Sequence, residues 1–238
     1  MLKAVQLYSV YKNIEEEGLE KVLSAISKTG YDGVEFAGFY NYSPDQIQEF
    51  LKKYNLKIVG IHAGIEELEK DNIWQYVEKL KPETITLAYL PEPLRKDIIS
   101  LSKRLLKVIE KAQKYKVTVM YHNHAFEFEN NQNLLLELLN LTPNLYSELD
   151  IFWIAVANID PLTFLKENLH RIKYLHIKEL GEEVFGPSPI IGKGRAKCIE
   201  VLEFAKQNNI KCVVLESENV GKDYKKYLEE CFEVFKKY

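Results

Sequence analysis

Short apolar runs alternate with longer amphipathic stretches from one end of this chain to the other. The short runs predict strands at Lys3–Ser9, Gly33–Phe36, Lys57–His62, Thr84–Ala88, Val117–His122, Tyr146–Asp150, Tyr174–Ile177 and Lys211–Glu216. The amphipathic stretches predict helices at Ile14–Thr29, Pro44–Tyr54, Ile65–Leu80, Pro93–Tyr115, Asn133–Leu141, Pro161–Leu169, Cys198–Asn208 and Gly221–Tyr238. Boundary residues support these limits. Ser43-Pro44-Asp45 and Asp160-Pro161 place a cap before a proline at the first helical position. Thr29-Gly30-Tyr31-Asp32-Gly33 is a glycine stop followed by a turn into the second strand.

Strand–helix alternation implies parallel pairing through right-handed crossovers, an α/β protein. An open doubly wound sheet uses the same alternation. Eight near-regular units in 238 residues favour a closed (β/α)8 barrel, a TIM barrel, which typically takes about 250 residues as one unit. No Pro/Gly/Ser-rich linker divides the chain, so residues 1–238 read as one domain.

Composition narrows the function classes. A net charge of −3 offers no basic field for nucleic acid. Three cysteines, an odd number without metal-site spacing, read as reduced thiols. The start, MLKAVQLYSV, enters a strand directly, and no 18-residue apolar run follows anywhere, so the expectation is a cytoplasmic protein with no membrane partner. A homo-oligomer is left open.

The candidate chemistry sits at strand ends. Four of the five histidines, His62, His122, His124 and His176, fall there, as do Glu35, Asp150 and Glu216. Parallel strands gather their C-terminal ends on one rim, and a rim of His, Asp and Glu suits a divalent metal and a polar substrate. Period-two alternation puts Glu148 on the face of Asp150, Lys178 on that of His176 and His124 on that of His122. Gln6, Glu35 and His62 fill the mouths of strands one to three and suit hydrogen bonds to sugar hydroxyls. Trp153, Phe126 and Phe36 offer apolar walls, and Glu127 and Glu129 lie just past the fifth strand. The longest non-helical stretch, Glu179–Lys197, lies over the rim. Gly192 and Gly194 give it a phosphate-binding reading, since barrel loops at that place often bind phosphate; a plain turn is the simpler one.

These residues resemble the xylose isomerase-like barrel superfamily, in its sugar phosphate isomerase/epimerase branch. The resemblance runs from Val-Gln-Leu-Tyr-Ser-Val in the first strand to Val-Val-Leu-Glu-Ser-Glu in the eighth. Its most telling pieces are Gly30-Tyr31-Asp32-Gly33-Val34-Glu35, Tyr121-His122-Asn123-His124-Ala125-Phe126-Glu127-Phe128, Leu149-Asp150-Ile151-Phe152-Trp153 and Leu175-His176-Ile177-Lys178. In related ketose enzymes the metal is held by Glu, Asp, His and Glu after strands five to eight. Asp150, His176 and Glu216 match the last three. The fifth-strand position is His122, which removes one of the two usual proton-shuttling carboxylates, and Trp153 stands where ketose epimerases carry a histidine.

The resemblance implies a metal-dependent isomerase or epimerase of a sugar or sugar phosphate, working through an enediolate. Its expected ligands are His122, Asp150, His176 and Glu216, with Mn²⁺, Zn²⁺, Co²⁺ or Mg²⁺ as the cofactor. Glu216 is the expected general base or acid, His122, His124 or Glu127 serves the opposite face, and Lys178 stabilises developing negative charge. Gln6, Glu35, His62 and Trp153 are the expected substrate contacts. With an imidazole ligand at position 122, metal affinity is expected to fall below about pH 6.5. A keto-polyol dehydratase, a keto-glycoside lyase and a non-catalytic sugar-binding barrel are the alternatives. A DNA-repair endonuclease of this superfamily needs more histidines than five.

Overall fold

Eight strands close on themselves in sequence order: β1 (Leu2–Gln6), β2 (Gly33–Ala37), β3 (Lys57–Ala63), β4 (Thr84–Leu87), β5 (Thr118–His122), β6 (Tyr146–Asp150), β7 (Ile172–Ile177) and β8 (Cys212–Leu215). Every pairing is parallel, and β8 returns to β1. The computed structural model describes residues 1–238. The chain is a (β/α)8 TIM barrel with helices between its strands. No helix is long and apolar enough to cross a membrane.

Helix boundaries follow local chemistry. The Pro44–Lys53 helix opens with a Ser43–Gln46 capping box, and the Pro161–Asn168 helix opens with Asp160 accepting the Thr163 N–H. Three of the long helices expected from periodicity are interrupted. The first breaks at Gly18 (φ 87°) into Tyr11–Glu17 and Leu19–Thr29. The segment after β3 divides into Ile65–Glu69 and Asn72–Leu80. That after β4 divides into Glu92–Arg95 and Ile98–Tyr115, where Asp97 caps the Ser100 N–H. The expected first strand is also too long. It stops at Gln6, whose side-chain oxygen accepts the Tyr8 N–H and starts a 3-10 turn, Leu7–Val10. A short helix absent from the periodicity reading, Ile151–Val156, starts directly on Asp150.

Two-residue alternation sorts the strand side chains between a shell and a lumen. Val5, Tyr121, Leu149, Leu175 and Leu215 join the apolar layer under the helices. Inside, Ala4, Val59, Met120, Tyr174, Cys212 and Val214 form a separate apolar cluster. One step nearer the C-terminal rim the lumen turns polar, with Gln6, Glu35, His122, Glu148, Asp150, His176 and Lys178 all buried. Room for this is made at Gly60, where a Cβ would stand 2.3 Å from Glu35 Oε1 and 2.7 Å from Thr84 Oγ1. The β2–β3 register shifts at the same level, between Val34 and Glu35.

Candidate metal and active site

Register brings the candidate ligands together. His122 of β5 lies opposite Glu148 of β6, and Asp150 lies opposite His176 of β7. His122, Asp150, His176 and Glu216 each present one ligand atom, all within 4.8 Å of one another. An ion with bonds of about 2.0–2.2 Å keeps its ligand atoms within roughly twice that distance. The four groups therefore converge closely enough to share one ion after an inward shift of their side chains.

The polar atoms of these groups fit a cation. Asp150 Oδ1 accepts the Phe152 N–H at 2.8 Å and the Trp153 N–H at 3.2 Å, which fixes the carboxylate and caps the short helix. Its other oxygen, Oδ2, is buried without a hydrogen-bond partner and lies 3.9 Å from His122 Nε2. Burial pushes the Asp150 carboxyl up to about 7. Burial, helped by the nearby His176, holds the His122 imidazole well below its usual range, so it is neutral and able to ligate.

His176 lies between acids. Nδ1 is 2.5 Å from Glu216 Oε2, and Nε2 is 2.7 Å from Glu35 Oε2 and 3.5 Å from Glu148 Oε1. Burial would lower the imidazole, but Glu148 and Glu35 outweigh it and hold the ring charged. Glu216 is likewise kept ionised against burial by Lys178 and His176. Lys178 is fully buried, with Nζ hydrogen-bonded to Glu218 and 3.7 Å from Glu216 Oε1. The same ammonium lies 4.3 Å and 4.7 Å from the ring centres of Phe152 and Trp153, a cation–π pair.

Beneath this group runs a second polar tier. Gln6 donates to Glu35 Oε2 at 2.8 Å, and His62 Nε2 lies 3.0 Å from Glu35 Oε2 and 2.7 Å from Glu148 Oε2. Burial opposes the charge on His62, yet the two carboxylates raise it to about 10. Glu148 is thus central, since it touches both His62 and His176. Its only sequence signal is shared parity with Asp150 in Tyr-Ser-Glu-Leu-Asp. His62, His122, Glu148 and His176 form a second foursome with ligand atoms within 4.8 Å, sharing two members with the first.

A cavity of about 370 Å³ opens above the ring, with Gln6, His62, His122, His124, Glu216 and Glu218 among its walls. His124 stands 5.3 Å from Trp153, ring centre to ring centre, and burial pushes its imidazole down to about 4. Trp153 in turn faces Phe185 of the β7–β8 loop at 6.2 Å. Glu127 is placed differently from its expected role on the substrate's far face. It is buried beside Tyr121, which points to the outer shell, and hydrogen-bonds the Tyr121 hydroxyl. Its other oxygen accepts the His124 N–H at 2.9 Å. Tyr121 and His122 point to opposite sides of β5, and an acid satisfied by Tyr121 stands outside the ring. The glycines of the long loop are engaged too: the Gly192 N–H donates to the buried Glu179 carboxylate at 2.8 Å.

A parallel eight-stranded barrel with His, Asp and Glu gathered on its C-terminal rim defines a class, and comparison with known proteins agrees. The chain belongs to the xylose isomerase-like TIM barrel family, whose model matches residues 23–238. No curated protein matches the chain significantly. Among solved structures, a sugar phosphate isomerase/epimerase from Parabacteroides distasonis superposes with a TM-score of 0.81 at 19% identity, over 97% of this chain and 92% of that one. An L-ribulose 3-epimerase gives 0.77 at 15% identity, covering 100% and 95%. The probable 3-DHS dehydratase AsbF of Bacillus anthracis, involved in petrobactin synthesis, gives 0.78 at 17% identity, covering 99% of each chain. At such identities these structures share the fold.

Proposed function

We propose that this protein is a metal-dependent isomerase or epimerase of a keto sugar, with His122, Asp150, His176 and Glu216 as its metal ligands. The observation that carries this reading is the convergence of those four donors within 4.8 Å on the barrel rim. Two imidazoles with two carboxylates suit Mn²⁺ or Zn²⁺, and Co²⁺, better than the all-oxygen preference of Mg²⁺. A divalent ion there supplies Lewis-acid polarisation of a carbonyl, which acidifies the neighbouring C–H.

The chain's own groups supply the remainder. Glu216, kept ionised by Lys178 and His176, takes the carbon-bound proton and returns it. Lys178, 3.7 Å from Glu216, sets a buried positive charge beside the developing enediolate. His124 works from the opposite wall as a neutral hydrogen-bond and proton partner. Glu127 acts through His124, as a positioning residue that anchors its backbone. Gln6 and His62 hold substrate hydroxyls, with Glu35 orienting both. Trp153 forms the apolar wall and helps exclude water.

Dehydration through the same enolate is the second reading, favoured by one observation. Position 122 is a histidine and Asp150 is tied to the helix it caps, so Glu216 is the one carboxylate of the four ligands placed as a base. Elimination needs one base plus a donor, and His124 lines the same cavity.

Protein loaded with Mn²⁺ and incubated with free ketoses in D₂O tests both. Deuterium in recovered substrate and its isomer, lost on chelation, is the expected result. Elimination product without exchange into substrate selects the dehydratase. Stoichiometric metal with neither outcome across the ketoses sinks the enzyme reading, and sugar binding indifferent to chelator points to a binding barrel.

A further inference from the structure

The loop after β7 contains an anion-binding arrangement that is already filled. Glu179 is buried immediately after Lys178. Its Oε1 accepts N–H groups from Leu180 at 3.1 Å and Ala196 at 2.8 Å, and its Oε2 accepts that of Gly192 at 2.8 Å. Gly194 passes so near that a Cβ would stand 2.5 Å from Glu179 Cγ and 2.7 Å from Oε1. Converging backbone N–H groups are the donors with which loops at this rim of a TIM barrel hold phosphate. In this chain they close on a carboxylate of the protein itself.

Three cations near the mouth, Lys178, Arg195 and Arg95, are similarly engaged. Lys178 is held by Glu216 and Glu218. The Arg195 guanidinium is turned onto the Gly181 carbonyl through Nε at 3.2 Å and Nη2 at 2.7 Å. Arg95 sits over Phe126, its Cζ 3.4 Å from the ring centre, with Nε on the Leu90 carbonyl and Nη2 on the Tyr89 hydroxyl. The cavity wall carries more acid than base: Glu67, Glu216 and Glu218 line it against the charged His62 imidazole, and neither lysine nor arginine does. A phosphorylated sugar entering there would set like charges against one another.

We propose that the substrate is an uncharged polyhydroxy carbonyl compound, and that Glu179 is the internal anion occupying the nest where a phosphate would otherwise be held. The substrate class rests on the isomerase reading above; the filled nest does not.

Two measurements on the full-length, Mn²⁺-loaded protein test this. In the first, D-fructose is compared with D-fructose 6-phosphate, and D-ribulose with D-ribulose 5-phosphate, by kcat/KM and by calorimetric binding. The free sugar is expected to win each pair roughly tenfold or more; preference for the phosphorylated member overturns the proposal. In the second, inorganic phosphate is titrated against potassium chloride at equal ionic strength, with the melting temperature and the Gly192 and Ala196 amide resonances as readouts. The wild type is expected to respond to neither salt specifically. A saturable phosphate response overturns the proposal, and its loss in Arg95→Ala would place the anion site at Arg95. Glu179→Gln, which keeps one acceptor oxygen, should shift those amides without changing the preference within each pair. Failure of both sugars with an unresponsive wild type would sink the isomerase reading while supporting the filled nest.

Discussion

His176 Nε2 lies 2.7 Å from Glu35 Oε2, across the lumen from β7 to β2. That contact turns Nδ1 toward Glu216, at 2.5 Å, and so decides which nitrogen faces the proposed metal. Partners of this kind orient a ligating imidazole and raise its basicity. Glu35→Gln should therefore weaken Mn²⁺ or Zn²⁺ affinity about 10–100-fold while the protein stays folded. Calorimetric titration of the chelated protein measures this, and unchanged affinity would show that Glu35 does not orient the ligand.

The pH dependence of metal binding should follow Asp150. The sequence alone points to His122 and to about pH 6.5. Burial holds His122 well below that value, so its proton does not compete, whereas the Asp150 carboxyl is raised to about 7. Metal must displace the Asp150 proton as well as the one that Glu148 and Glu35 hold on His176, so apparent affinity should fall more steeply as pH drops through about 7, by up to roughly a hundredfold per unit. Affinity that is flat between pH 5.5 and 7.5 contradicts this.

The same group has a stability consequence of defined sign in the metal-free protein. A folded-state pKa raised from 3.8 to about 7 contributes stability that is complete below the unfolded value. That contribution is lost as pH rises through about 7. Asp150→Asn keeps the oxygen that caps the helix and removes the charge. At pH 8 the metal-free variant should melt higher than metal-free wild type, and the difference should shrink towards pH 5. A melting difference independent of pH would refute it.

Glu216 and Glu127 should respond differently to the same substitution. Glu216→Gln keeps an oxygen but loses the base, and about 10²–10⁴-fold in rate should go with it. Glu127→Gln should cost roughly tenfold or less, because that acid acts through the His124 backbone and the larger losses belong to groups that carry the proton. Steady-state kinetics on whichever ketose is turned over decides between them; equal losses would return Glu127 to the proton path.

His122→Ala should lower metal affinity by more than the roughly 10–100-fold of an orienting partner, because it deletes a ligand. His122→Glu should retain the metal. Metal content unchanged in His122→Ala would remove His122 from the ligand set.

Much of this was legible in the chain itself. Local periodicity and caps specify eight strand–helix units, and two-residue alternation, being a property of the strand alone, already aims His122, Asp150 and His176 the same way. What periodicity could not mark is where a helix bends, at Gly18 or around Asp97, because the apolar spacing continues across the break. The tertiary structure alone decided the contacts across the lumen. Glu148 reaches His62 only because the barrel closes, bringing β3 and β6 face to face across residues 86 positions apart. Loop folding placed Glu127 beside Tyr121, six residues back, and turned Gly192 onto Glu179 at the start of its own loop. Both outcomes depend on which buried donor an acid finds, and in a region of low dielectric an unpaired donor or acid is too costly to leave.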